Sequence, residues 1–158
     1  MKKKALIIMA ILCPIILSGC RKNSGPADIA GEWKLASLNG VPAEELAADR
    51  YGGLDVYVFF GEDKTFETFQ RIGNSKKYYR YSGTYNIINT NIATGMYDDG
   101  DSWGAEYEVS LENEGKTLVM SGGGDECIYI KETIPDEVRE SAFETKAASG
   151  TSAPGHFL

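Results

Sequence analysis

Residues 105–112 read Ala-Glu-Tyr-Glu-Val-Ser-Leu-Glu, and this stretch decides the fold class. Apolar residues occupy every second position from Ala105 to Leu111, and polar residues occupy the positions between them. Because successive side chains of a β-strand point to opposite faces, this alternation predicts a strand with one buried face. The same two-residue period returns in most of the chain.

The period predicts eight strands in all. They lie near residues 32–38, 54–60, 65–71, 77–88, 91–97, 104–112, 116–121 and 126–132. Gly, Asn and Asp residues that favour turns separate them, so nearly all connections are short. Eight sequential antiparallel strands predict an all-β, up-and-down barrel, because closing the sheet removes its exposed edges. A two-sheet sandwich is the competing architecture.

Two helices are predicted beside the strands. Residues 42–48 begin with proline and carry two glutamates early, which is typical of a helix start. After the last strand, the apolar residues of 134–143 form one stripe. We therefore predict a helix over residues 135–148, packed on the outside of the barrel. Residues 149–158 are rich in Gly, Ser and Pro and are expected to be disordered.

The interior of an eight-stranded barrel is filled by side chains or holds one small ligand. Inward tyrosines could line an amphipathic pocket and hydrogen-bond a ligand, although tyrosine also simply suits β structure. Trp103 would either gate the mouth of the pocket or pack on its own loop. The candidate ligand-binding residues share a predicted inward position or a place at the mouth: Val56, Phe66, Tyr79, Tyr81, Met96, Trp103, Tyr107 and Met120.

Charge and histidine content exclude several function classes. The formal charge is −7, and without Lys2, Lys3 and Lys4 the chain has 13 basic against 23 acidic residues. A nucleic-acid binder would need a cationic surface. The single histidine, His156, lies in the predicted tail, which argues against Ser-His-Asp hydrolysis and His-ligated zinc. We predict no catalytic residue, no metal site, no cofactor and no enzymatic activity.

The remaining acidic and cysteine motifs are interpreted as structural. Residues 98–101 (Asp-Asp-Gly-Asp) lack the spacing of an EF-hand loop and are predicted to form a solvated hairpin turn. Cys127 has no histidine or second thiol near it in sequence. It is predicted to be a small buried apolar residue rather than a nucleophile.

Residues 1–19 have the pattern of a secretory signal. Three lysines precede an apolar run, residues 5–17, which is too short for a membrane span of about 20 residues. The sequence Leu-Ser-Gly-Cys at residues 17–20 resembles the bacterial lipobox. That resemblance implies cleavage before Cys20, followed by attachment of diacylglycerol and a further acyl chain to it. The alternative is an ordinary signal peptide with an incidental cysteine.

The residues after Cys20 bear on location. Arg21 stands where an aspartate would commonly retain such a lipoprotein in the inner membrane, so the chain resembles an outer-membrane lipoprotein. We expect it to face the periplasm. Residues 20–30, the lipidated cysteine and a polar stretch with Gly and Pro, are predicted to be a tether.

An ordered set of short motifs resembles the lipocalin-like lipoproteins of Gram-negative bacteria, over residues 31 to about 145. The motifs are Gly31-Glu32-Trp33-Lys34-Leu35, Asn39-Gly40, Tyr79-Arg80-Tyr81-Ser82-Gly83-Thr84-Tyr85, Trp103-Gly104, Lys116-Thr117-Leu118 and Ile134-Pro135-Asp136-Glu137-Val138. The resemblance implies that Trp33, after Gly31, closes one end of the barrel. Lys131 would lie against its ring, where lipocalins usually have arginine. The opposite, open end would be ringed by residues 39–53, 72–77, 98–103 and 122–124.

These features predict a binding protein whose domain covers residues 31–148. It would hold a small apolar or amphipathic ligand inside the barrel and attach to a membrane through lipid on Cys20. The competing hypothesis is a protein-interaction or inhibitor module. In that case the barrel would be filled, and its loops would bind another protein of the cell envelope.

Overall fold

The structure is a computed structural model that describes residues 25–49, 54–73, 75–144 and 157–158. The predicted signal segment, Cys20 and residues 145–156 of the C-terminal region lie outside these ranges. In chain order the elements are β1 (Gly31–Leu38), β2 (Val41–Pro42), α1 (Ala43–Asp49), β3 (Leu54–Phe60), β4 (Thr65–Ile72), β5 (Tyr79–Ile88), β6 (Ile92–Tyr97), β7 (Tyr107–Glu112), β8 (Thr117–Gly122), β9 (Asp125–Lys131), α2 (Asp136–Ser141) and β10 (Phe143–Glu144).

Eight of the strands, β1 and β3 to β9, form a closed antiparallel barrel, which confirms the predicted architecture over the sandwich. The ring closes where β5 pairs with β6 as well as with β4. The strands β2 and β10 have two residues each and lie beside this ring. The helix α1 corresponds to the one predicted over residues 42–48.

The boundary between β6 and β7 is the weakest in the ring. Only Ile92 with Glu108 and Ala93 with Tyr107 are paired there, whereas every other boundary described pairs at least four residues on each strand. The connecting loop covers the gap, because the backbone N–H of Trp103 donates to the carbonyl of Gly95 at 3.0 Å. We call this boundary the β6–β7 seam.

Trp33 closes the end of the barrel at which β1 begins. Its ring is buried, and its Nε1–H donates to the carbonyl oxygen of Ile29 at 2.9 Å. The Lys131 ammonium lies 5.5 Å from the ring centroid, so the contact that the resemblance implies is present with lysine in place of arginine. Ile29 is only 1% exposed. The predicted tether therefore extended too far, because its last residues are packed against the closed end.

The helix α2 packs outside the barrel, as predicted. Ile134 and Val138 are buried against the outward faces of Tyr57 and Phe69 on β3 and β4. Arg139 fixes the helix to the strands, since its Nη2 lies 2.6 Å from Oε1 of Glu32. The other carboxylate oxygen of Glu32 accepts the backbone N–H of Ile134 at 2.7 Å.

The predicted extent of this helix, to residue 148, is wrong. The helix ends at Ser141, and Ala142 is extended. Phe143 and Glu144 then pair in parallel with the start of β5, and the backbone N–H of Phe143 donates to the carbonyl of Tyr78 at 2.9 Å. The start of β5 extends beyond β6, so its backbone groups can bond with Phe143 and Glu144. A longer helix could not form these hydrogen bonds.

None of the helices in the described ranges is both long enough and apolar enough to cross a membrane.

Candidate functional site

The closed half of the barrel interior is filled by aromatic rings around Trp103. This side chain enters from the β6–β7 loop and is only 4% exposed. Its ring meets Phe66 at a centroid distance of 5.2 Å, Tyr107 at 6.0 Å and Phe60 at 6.2 Å, always edge to face. Edge-to-face pairs are the favoured arrangement of aromatic rings. Trp103 is neither a gate at the mouth nor packed on its own loop, the two predictions made for it. Its ring is part of the barrel core.

Gly95 makes this insertion possible. A Cβ atom on Gly95 would lie 2.1 Å from Cε2 of Trp103, which is far inside van der Waals contact. Gly83 on the neighbouring strand is similar, since its Cβ would lie 2.1 Å from the carbonyl oxygen of Met96 and 2.8 Å from the Phe66 ring. Glycine within a strand often marks such a close approach.

The prediction that Met96 faces the interior is wrong. Met96 is 55% exposed on the outside, and β6 directs Ala93, Gly95 and Tyr97 inward instead. The apolar character of Ile92 and Met96 suggested the opposite alternation. Glycine is required at position 95 because Trp103 occupies the space beside it.

The open end of the barrel contains a cavity of about 250 Å³. This is somewhat smaller than most ligand sites, which hold roughly 300–1,000 Å³. A bulge at Ala36 shifts the pairing of β1 with β9, so that Leu38 as well as Leu35 faces the interior. We call this space the mouth cavity, and its lining residues are Leu38, Leu54, Ile72, Tyr107, Asp125, Cys127 and Phe157.

The wall of the mouth cavity is almost free of charge. Burial raises the pKa of Cys127 to about 11 and raises the pKa of Tyr107 above its ordinary value. Both groups therefore stay protonated at neutral pH. Among the described residues that line the cavity, Asp125 is the one carboxylate, and its Oδ1 accepts a hydrogen bond from the Asn39 amide at 2.7 Å on the exposed rim. Such a wall favours a neutral, mainly apolar guest.

Residues 157–158 lie inside the barrel rather than in a disordered tail. Leu158 is 4% exposed and belongs to the central core, and Phe157 packs against that core. The hydroxyl of Tyr97 donates to the main-chain oxygen of Leu158 at 3.2 Å. The prediction of disorder over residues 149–158 is therefore wrong for these two residues, because their apolar side chains find a buried site.

The predicted ligand-binding residues divide into four groups by position. Tyr107 lines the mouth cavity, Tyr79 is half-buried against the core, and Met96 lies outside. The others are buried deeper in the interior: Val56, Phe66, Tyr81, Trp103 and Met120. Their part in binding stays a prediction.

Sequence reasoning missed most of the cavity lining. Leu54 continues the inward face of β3 that contains Val56, so the two-residue period of the strand indicates its inward position. Leu38 could not, because the bulge at Ala36 is not visible in the alternation. Phe157 lies in a segment whose composition is typical of disorder.

A second, larger cleft lies on the outer surface, beside β1, α1 and β4. Its volume is about 920 Å³, and its lining mixes charged and apolar residues. Arg71 and Asp55 form an ion pair of 3.0 Å along it, and the Arg71 guanidinium lies 5.0 Å from the Tyr78 ring centroid. Among the described residues, no three His, Cys, Asp or Glu side chains lie close enough together to hold a metal ion.

Comparison with known families agrees with this geometry. The family model of the lipocalin-like domain matches residues 29–133, which include all eight strands of the barrel. The chain belongs to the lipocalin-like family. The match begins at Ile29, whose carbonyl accepts the Trp33 hydrogen bond. The lipocalin-like domain therefore includes the residues that close this end of the barrel. Neither the curated proteins nor the solved structures gave a significant match to the chain.

Proposed function

We propose that the chain is a lipid-anchored, lipocalin-like protein of the outer membrane that encloses a small apolar or amphipathic ligand at the open end of its barrel. Binding occurs by enclosure and involves no chemical step. The observation that carries this proposal is the mouth cavity of about 250 Å³, with its apolar lining and neutral hydroxyl and thiol groups.

The size and chemistry of the cavity restrict the ligand. Trp103 and its ring partners fill the closed half, so a guest occupies only the open half. A long acyl chain would need more volume than this. The Tyr107 hydroxyl could donate one hydrogen bond, and an apolar body would contact Leu38, Leu54 and Ile72.

The anchoring part of the proposal rests on the sequence. Cys20 follows a lipobox-like segment, and two or three acyl chains would hold the protein on a membrane durably. The chain enters the barrel at the closed end, through Ile29 and β1. The mouth would then point away from the membrane, toward the periplasm. The mass of the mature chain, compared with that of Cys20→Ala, tests the lipid, and fractionation of the two membranes tests the location.

Native mass spectrometry tests the enclosure. We expect the full chain, extracted from its membrane in mild detergent, to carry an adduct of small-molecule mass that is lost on denaturation. Tyr107→Asp places a charge in the cavity and should abolish the adduct. Met96→Asp is the matched control, because it places the same charge on the exposed outer face. A wild-type chain that carries no adduct, even after incubation with an extract of envelope lipids, would overturn the proposal.

A protein-interaction module is the second candidate function. The aromatic filling of the closed half and the outer cleft of about 920 Å³ favour it. In that case, cross-linking in intact cells should join the region around Arg71 to another envelope protein. Charge reversal, Arg71→Glu, should remove the cross-link while leaving any small-molecule adduct unchanged.

A further inference from the structure

We propose that residues Phe157 and Leu158 are a built-in occupant of the barrel interior next to the mouth cavity, and that an external ligand larger than this cavity must displace them. This inference rests on the proposed function and adds a form of regulation to the same site. The ligand it implies is a neutral or weakly polar molecule about as large as a hydrophobic dipeptide. It would carry one oxygen that can accept a hydrogen bond from Tyr97.

The packing of the two residues is that of a bound guest. Phe157 contributes to the wall of the cavity, together with Leu38, Tyr107 and Cys127 from β1, β7 and β9. Leu158 reaches further inward and is as buried as the residues of the barrel core. The segment therefore fills apolar space that the eight strands leave open.

The hydrogen bond of Leu158 shows what chemistry the site selects. The Tyr97 hydroxyl is directed into the interior and donates to the main-chain oxygen of Leu158 at 3.2 Å. Burial raises the pKa of Tyr97 well above its ordinary value, so the hydroxyl remains a donor over the physiological range. Its ring is held edge to face against Phe66, with the centroids 5.2 Å apart. A fixed buried donor of this kind favours a ligand with an acceptor oxygen at the same point.

Glu144 and Phe157 both lie toward the open end of the barrel. Glu144 pairs with Arg80 near the start of β5, the strand end that lies at the mouth. The twelve residues 145–156 that separate Glu144 from Phe157 span up to roughly 40 Å when extended. Neither Phe157 nor Leu158 belongs to a described strand, so their release from the interior breaks no strand pairing.

An internal occupant weakens the binding of any competitor. The apparent affinity of a ligand falls by the fraction of molecules whose site is free. Full burial of a leucine side chain corresponds to roughly tenfold to a hundredfold in an equilibrium, and the ordering of two residues offsets part of it. We therefore expect the occupant to weaken external binding about tenfold.

The test uses the full-length chain and two readouts. Phe157→Ala/Leu158→Ala enlarges the cavity, and Phe143→Ala is the matched control because Phe143 is an exposed aromatic residue outside the barrel. The first readout is the alkylation rate of Cys127 by iodoacetamide, since this buried thiol lines the same cavity. The second is the affinity for the neutral dipeptide N-acetyl-Phe-Leu-amide, followed by tryptophan fluorescence.

The inference predicts that the double variant is alkylated about tenfold faster than the wild type and binds the dipeptide about tenfold more tightly. The dipeptide should restore the protection of Cys127, and Phe143→Ala should behave as the wild type. Equal alkylation rates in the wild type and the double variant would overturn the inference, whatever adduct the wild type carries. Faster alkylation without binding of the dipeptide or of any native adduct would instead support the occupancy and overturn the proposed function.

Discussion

Gly95→Ala should expel Trp103 from the core of the barrel. The added methyl group would lie 2.1 Å from Cε2, 2.4 Å from Nε1 and 2.5 Å from Cδ2 of the indole. These atoms belong to the ring system, which is held by Phe60, Phe66 and Tyr107, so no small torsion relieves the overlap. Either the two strands beside the seam move apart or the indole leaves the interior.

The structure gives a lower and an upper limit for the loss in the free energy of unfolding. Overpacking by one methyl group in a close-packed core costs about 1–3 kcal/mol. Expulsion sets the upper limit, because a tryptophan buries roughly 150–250 Å², or about 4–6 kcal/mol at 25 cal/mol per Å². We expect Gly95→Ala to lower the free energy of unfolding by about 2–4 kcal/mol, a large part of the stability of an ordinary domain.

Urea unfolding, followed by circular dichroism and by tryptophan emission, measures this effect. The native emission should shift to longer wavelength in the variant, since Trp103 is one of the two tryptophans of the chain and would become exposed to water. Gly104→Ala is the matched control, because a Cβ there meets nothing within 4 Å. If Gly95→Ala unfolds within about 0.5 kcal/mol of the wild type, with unchanged emission, Trp103 does not occupy the space assigned to it.

Three further predictions concern other parts of the molecule. The raised pKa of Cys127, about 11, means that its contribution to stability is present below pH 9 and is lost as the pH rises through 11. Unfolding at pH 8 and pH 11 should therefore differ by about 2–3 kcal/mol more in the wild type than in Cys127→Ala, and equal differences would contradict this. Met96→Asn should change the unfolding midpoint little, because the side chain is exposed, and a loss above about 1 kcal/mol would place it inside. Arg139→Met should lower the free energy of urea unfolding by about 1–2 kcal/mol, since Glu32 would lose its ion-pair partner and keep only the hydrogen bond from Ile134. Adding Glu32→Gln to this variant should lower it little further if Arg139 and Glu32 act as a pair.

The strand positions could be predicted because the two-residue period is strong where one face is buried. β7 is the clear example, since Tyr107, Val109 and Leu111 alternate with polar residues. In β3 the inward positions are all apolar, but apolar residues also lie on the outward face. The closed end was implied by the resemblance to lipocalins, and the structure places Lys131 against the indole of Trp33.

The remaining features could not be predicted, because they depend on contacts between segments distant in sequence. The alternation of β6 is set by Trp103, a residue outside the strand, which requires Gly95 rather than Met96 on the inward side. The end of α2 is set by hydrogen bonds to the edge of β5. The position of Leu158 depends on the Tyr97 hydroxyl and on free space inside the barrel. Neither can be inferred from the composition of the last ten residues.

The β6–β7 seam has a consequence for how the protein would misfold. Two residue pairs, two hydrogen bonds that Asn91 makes with Glu108 and Val109, and the loop around Trp103 keep the ring closed there. If that loop detaches, the barrel becomes an open, curved sheet whose two terminal strands have unpaired N–H and C=O groups. Such edges are templates for pairing with another chain, and the uncovered aromatic interior would reinforce the contact. The residues that seat the indole, Gly95 among them, therefore protect the barrel from pairing edge to edge with another chain.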